Sequence, residues 1–254
     1  MDVVGSTRSR VTRNYALITP DTHVPSSLIG WQNATGYFHI TPELGARFMQ
    51  YTAVLTERAK SAVPHASVER LIYVLEGSVQ VDCPAHSAAP HSTLQVGGFA
   101  YFPAGTNHTI SAAGSAKLTI FEKVYRPAAD GSAPRIVIGN EANIEAKPFL
   151  GDEDARLKTL LPIEPAFDMA VNIFTYMPGA TLPQVEIHVM EHGLLMLAGM
   201  GVYRLGDDHM PVAAGDLIWM ASYCPQWFVA MGKQPARYIY YKDVHRDGLH
   251  EKGM

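Results

Sequence analysis

"GGFAYFPAGTNH", residues 97–108, and "GDLIWMASYCPQ", residues 215–226, are two versions of one pattern. Each starts at a glycine, passes through an apolar stretch and a turn, and ends eleven positions on at a donor side chain, His108 or Gln226. Upstream, Arg70 stands seven positions before Gly77 and His192 seven positions before Gly199. Signatures that recur in one order at one spacing mark an internal repeat. Between the copies, "RPAADGSAPRIVIGNEANIEAKPFLGDED" is rich in Pro, Gly and acidic residues and reads as a linker near 127–165.

Outward from the repeat, the chain reads as short β segments punctuated by glycine and proline. Examples are "RLIYVLEGSVQVDCP", "MAVNIFTYMPGA", "LLMLAGMGVYRLGD" and "ARYIYYKDV". Helical periodicity is scarce, and "EDARLKTLL" (153–161) is the best helical candidate, with the acidic "GDED" (151–154) as linker or helix start. The composition, 47% hydrophobic and 17% charged over 254 residues, supplies a substantial core. A net charge of -4 offers no basic field, which argues against nucleic acid and anionic membrane as partners. The longest apolar run, "GLLMLAGMGVY", is too short to span a bilayer. The leading stretch has no apolar core of a secretory signal, and Cys83 and Cys224 have no metal-type spacing, so a cytoplasmic protein is expected.

The two signatures resemble the motifs of the cupin family, whose members are small jelly-roll β-barrels. The first half carries the second cupin motif almost whole, and the second half carries both motifs with altered side chains. The fold expected is all-β, a bicupin: an N-terminal barrel with its leading arm over 1–126, a linker over 127–165 and a C-terminal barrel over 166–254. Unprotected strand edges would be a liability in a monomer, so a homo-oligomer is expected.

"EIHVMEHG" (186–193) supplies the chemistry. Side chains alternate along an extended strand, so Glu186 and His188 point one way, and His192 returns to that face after a bend. Gln226 closes the set. Two imidazoles, a carboxylate and an amide oxygen suit Mn²⁺ or Fe²⁺, with Zn²⁺ or Ni²⁺ as adventitious occupants. In the same register the first half has Pro64, Ala66 and Arg70, with only His108 retained, so that barrel is expected to be metal-free. His65 should point away from its interior. Further on, Tyr238, Tyr240 and Lys242 fall on one strand face. Either that face lines the cavity, with Lys242 awaiting an anion, or Lys242 tips out and the tyrosines are core. Tyr203 is a further wall candidate. Met190, Met196 and Met220 are placed near the cavity, Trp219 and Trp227 in the core, and Cys224 is given no catalytic role.

Over nearly its whole length the chain also resembles the (S)-ureidoglycine aminohydrolase family, through "NYALITPD", "LGARF", "PGATLPQVEIHVMEHG", "GVYRL" and "YYKDVHRD". The resemblance implies Mn²⁺ on Glu186, His188, His192 and Gln226, and substrate contacts on Tyr203, Tyr238 and Lys242. It implies a hydrolase that converts ureidoglycine and water to ureidoglycolate and ammonia in purine and allantoin degradation. As mechanism, Glu186 and Lys242 are expected to be catalytic, the first as proton acceptor and the second holding the carboxylate. Two rivals stay open: a non-haem iron dioxygenase, which also uses two histidines and a carboxylate, and a non-catalytic small-ligand-binding bicupin.

Overall fold

The structure, a computed structural model, describes residues 6–247; residues 1–5 and 248–254 of the domain bounds above lie outside it. Among the described residues every regular element is a β-strand, apart from three 3₁₀ turns. No helix among them is long and apolar enough to cross a membrane. The chain divides into two compact units, residues 24–144 and residues up to 23 together with 145 onward.

The first unit is a ten-stranded sheet around a core that includes Tyr51, Ile72, Val74, Phe102, Leu118 and Ile120. Its Ala116–Val124 strand lies between Met49–Lys60 and Val68–Glu76, which puts Arg70 opposite Glu122 and Ile72 opposite Ile120. In the second unit an eight-stranded sheet faces a three-stranded one made of Met200–Leu205, Asp208–Ala213 and Gln226–Met231. One core joins them, with Leu194, Met196 and Tyr238 from the larger sheet and Tyr203 and Phe228 from the smaller. The result is a nearly closed barrel.

The repeat has a backbone cause at its two glycines. Gly77 and Gly199 adopt φ of 72° and 73°, and a Cβ at either would stand 2.2 Å from the Ser115 carbonyl or 2.5 Å from that of Pro235. Only glycine takes this turn without displacing backbone.

Three expectations need correction. The leading arm was grouped with the first barrel, but its Tyr15–Ile18 strand pairs with Leu217–Met220 of the second unit. Tyr15 and Leu17 are buried in that unit's core, and the arm covers what would be an open sheet edge. The supposed linker contains strands: Lys147–Phe149 and Asp152–Thr159 extend the second unit's larger sheet. The helical reading of 153–161 fails for the same reason. Good helix formers there are overridden by pairing with Met169–Tyr176, which buries Ala155 and packs Leu157 on the core.

Candidate functional site

The second unit encloses a cavity of about 150 Å³ open to the centre of a water-sized sphere. Glu186, His188, His192, Gln226, Tyr203, Tyr238 and Lys242 all line it. Local backbone fixes each one. Residues 183–191 are irregular rather than a laddered strand, yet Glu186 is pinned by reciprocal backbone bonds with Gln226 of 2.8 and 3.0 Å. The alternation expected of a strand therefore survives, and Ile187 is exposed between two half-buried neighbours that face inward. The Tyr223 amide bonds to the His188 carbonyl at 2.7 Å. His192 opens its strand directly between Met220 and Lys242.

The donor atoms converge on His188. Its Nε2 lies 3.1 Å from His192 Nε2, 3.0 Å from Gln226 Nε2 and 3.9 Å from the Glu186 carboxylate. His188 Nδ1 bonds to the Met190 carbonyl at 3.0 Å, which leaves the lone pair on Nε2. His192 bonds to the Tyr241 backbone, and burial, with help from His188 and Lys242, holds it well below the ordinary imidazole pKa. The two Nε2 atoms thus face each other across 3.1 Å, where both could serve one cation as donors. Two nitrogens bound at right angles on bonds of roughly 2.1 Å would stand about 3.0 Å apart. The backbone bonds on the far side of each ring are the outer support a metal-binding histidine uses.

Among the described residues no three His, Cys, Asp or Glu side chains gather tightly enough to make a metal site by themselves. The set depends on Gln226, whose amide, turned over, offers its oxygen, and on Glu186 closing a short gap. Burial raises the Glu186 pKa, against the pull of His188 and Lys242. The Lys242 pKa is lowered by burial, against Glu186 and Asp243. Lys242 is half-buried and lines the cavity, in line with the inward of the two positions left open by the sequence.

Comparison with known proteins agrees with this architecture. The cupin domain family matches residues 172–241. The chain is 42% identical over 250 residues to the probable (S)-ureidoglycine aminohydrolase of Oryza sativa subsp. japonica, covering 98% of this chain and 79% of the relative. It is 34% identical over 239 residues to (S)-ureidoglycine aminohydrolase of Escherichia coli (strain K12), covering 92% and 90%. The chain belongs to the (S)-ureidoglycine aminohydrolase family. Its backbone also matches the crystal structure of protein Ylba from E. coli, with a TM-score of 0.83 and 31% identity, covering 96% of this chain and 97% of that one.

For an aminohydrolase family member, the cavity has a wall that sequence reading did not assemble. Phe149 comes from the stretch read as linker and packs edge-on against Phe174 at 4.9 Å. Tyr240 lines the cavity, and Asn172 donates to its hydroxyl at 3.1 Å. The Tyr176 and Tyr238 hydroxyls are 3.0 Å apart. The i, i+2 spacing already placed Tyr240 on the cavity face, but no local signal points to Asn172 or Tyr176. Met190 and Met220 line the cavity while Met196 is core. Trp219 is buried, with its indole donating to Glu191 at 3.3 Å, and Trp227 is partly buried against the core. Cys224 is buried core, and it and Cys83 are free thiols.

Proposed function

We propose that the chain is a cytoplasmic, homo-oligomeric bicupin that converts (S)-ureidoglycine and water to (S)-ureidoglycolate and ammonia in purine and allantoin degradation. Its active site is the cavity of the C-terminal barrel, with Mn²⁺ held by Glu186, His188, His192 and Gln226. The observation that carries the reading is the pair of imidazole nitrogens 3.1 Å apart in a cavity that Lys242 also lines. Donors for a divalent cation thus stand beside a group for an anion, which fits a small amino acid derivative. Family membership over nearly the whole chain gives that molecule its identity.

The ion, when bound, supplies Lewis-acid polarisation of a substrate group. The chain's own residues do the rest. Lys242 and Tyr238 hold the substrate carboxylate, which fixes the face of the amine-bearing carbon presented to water. Tyr203 closes the wall behind it. Burial keeps Tyr203 and Tyr238 protonated, so they serve as donors and not as bases. The C–N bond breaks, a C–O bond forms, and the water proton leaves with ammonia. Glu186, with its pKa raised by burial, is the carboxylate placed to move that proton.

Metal-stripped protein reconstituted with Mn²⁺ should release ammonia from ureidoglycine generated in place, with no oxygen uptake. Glu186→Ala and Lys242→Ala should each abolish release. Ammonia no faster than the spontaneous rate would remove the substrate assignment, and oxygen uptake with iron would replace it with an oxygenase.

A further inference from the structure

Tyr240 carries a buried phenolic proton that meets no acceptor among the described residues. The residue lies between Tyr238 and Lys242 on the cavity face of the Ala236–Asp243 strand and is 7% exposed. Its ring packs against that of His192, with centroids 5.5 Å apart, and lies nearly parallel to Phe174. Directly opposite in the neighbouring strand is Asn172, itself buried, whose Nδ2 donates to the Tyr240 oxygen at 3.1 Å. That bond has a polarity. The oxygen acts as acceptor, so its own proton must go elsewhere, and among the described residues it meets no acceptor. A buried donor without a partner costs about 1–3 kcal/mol. The neighbouring Tyr176 and Tyr238 hydroxyls at least share one bond, in which one of the two protons is accepted.

The first unit shows that the barrel does not need a tyrosine here. Arg70 faces Glu122 as His192 faces Lys242, so the matching position to Tyr240 is Ile120, a fully buried core residue. The hydroxyl is an addition peculiar to the barrel with the cavity.

We infer that Tyr240 is a substrate-binding donor, turned toward the bound molecule by the Asn172 amide, and that Asn172 acts as its positioning residue. The acceptor is an oxygen of a small carboxylate lying along the Lys242–Tyr238 face. The inference rests on the reading of this cavity as the substrate site.

The test uses the full-length, Mn²⁺-loaded protein and three readouts: calorimetric binding of ureidoglycolate and of glycolate, kcat and KM for ammonia release, and thermal melting. Tyr240→Phe should weaken binding of both carboxylates roughly tenfold and raise KM, with metal content and melting temperature unchanged. Asn172→Asp keeps the shape but offers an acceptor that captures the Tyr240 proton. It should cost a similar factor although Tyr240 is present, and the double variant should be no worse than either single one. Tyr240→Phe binding both carboxylates within twofold of wild type would overturn the inference, as would a wild-type protein that binds neither. A wild type that binds glycolate but does not turn over ureidoglycine overturns the substrate reading alone, because the glycolate ratio still reports on Tyr240.

Discussion

The interiors of the two units solve one problem in opposite ways. In the first, Arg70 is buried at the position that His192 holds in the second, and Nε donates to Glu122 at 2.5 Å. Glu122 occupies the register position of Lys242. The same guanidinium lies 3.3 Å from His108 Nε2, and burial together with Arg70 pushes His108 down to about 4. Tyr51 donates to Glu122 at 3.2 Å. Every charge there has a partner supplied by the chain. In the second unit the matching positions hold two imidazole nitrogens 3.1 Å apart and a lysine that lines a cavity. The first interior pairs its charged groups with one another, and the second turns them toward a cavity.

The largest effect expected from breaking this contrast is on the second barrel. His192→Ala removes one of the facing lone pairs and should lose Mn²⁺ and with it at least about a thousand-fold in ammonia release, since the ion supplies several kcal/mol of charge stabilisation. Metal analysis and kinetics on the purified variant check both. Wild-type protein should melt higher as free Mn²⁺ rises, by mass action, whereas this variant should not.

Next in size is the internal cation of the first unit. Arg70→Met strands the Glu122 carboxylate and should cost about 3 kcal/mol in urea unfolding, because breaking a buried pair leaves an uncompensated charge. Arg70→Met with Glu122→Gln should recover much of that loss. If the single variant melts like wild type, the first interior is not held by this pair.

Smaller still is the shared turn. Gly77→Ala and Gly199→Ala should each cost about 1–3 kcal/mol, from positive φ and the clash with backbone carbonyl. Similar costs in both units would mark one turn used twice. The smallest effect is on pH dependence. The Glu186 pKa is raised above its ordinary 4.5, so Mn²⁺ affinity of the apoprotein should fall with acidification before ordinary carboxylates titrate. The Lys242 pKa lies below its ordinary 10.5, so KM should rise early as the solution becomes alkaline. Mn²⁺ titrations and KM measured across pH check the two limbs separately.

Legibility followed the range of the interactions. Glu186, His188, His192 and Gln226 could be read from spacing because a repeat and a period of two place them on one face without any knowledge of neighbours. Tyr240 was half legible: its face was, its unmatched proton was not. Asn172 and Tyr176 gave no signal, since a buried Asn or Tyr in an apolar strand looks like many others until its cross-strand partner is known. The local composition of Phe149 and the Asp152–Thr159 strand suits a linker or a helix; pairing of Asp152–Thr159 with Met169–Tyr176, and of Lys147–Phe149 with Asp152–Thr159, makes them sheet.

By itself the sequence determined the repeated β units, the two glycine turns, and which half carries the metal-type donors. These follow from backbone rules that act within a few residues, namely alternation along a strand and the conformations only glycine tolerates. Tertiary structure decided that Arg70 meets Glu122 52 positions away and that Asn172 meets Tyr240 68 positions away. It also decided that Tyr15–Ile18 closes an edge some 200 residues downstream. Such pairings are set by strand register, which is chosen by the burial of whole sheets rather than by any local pattern.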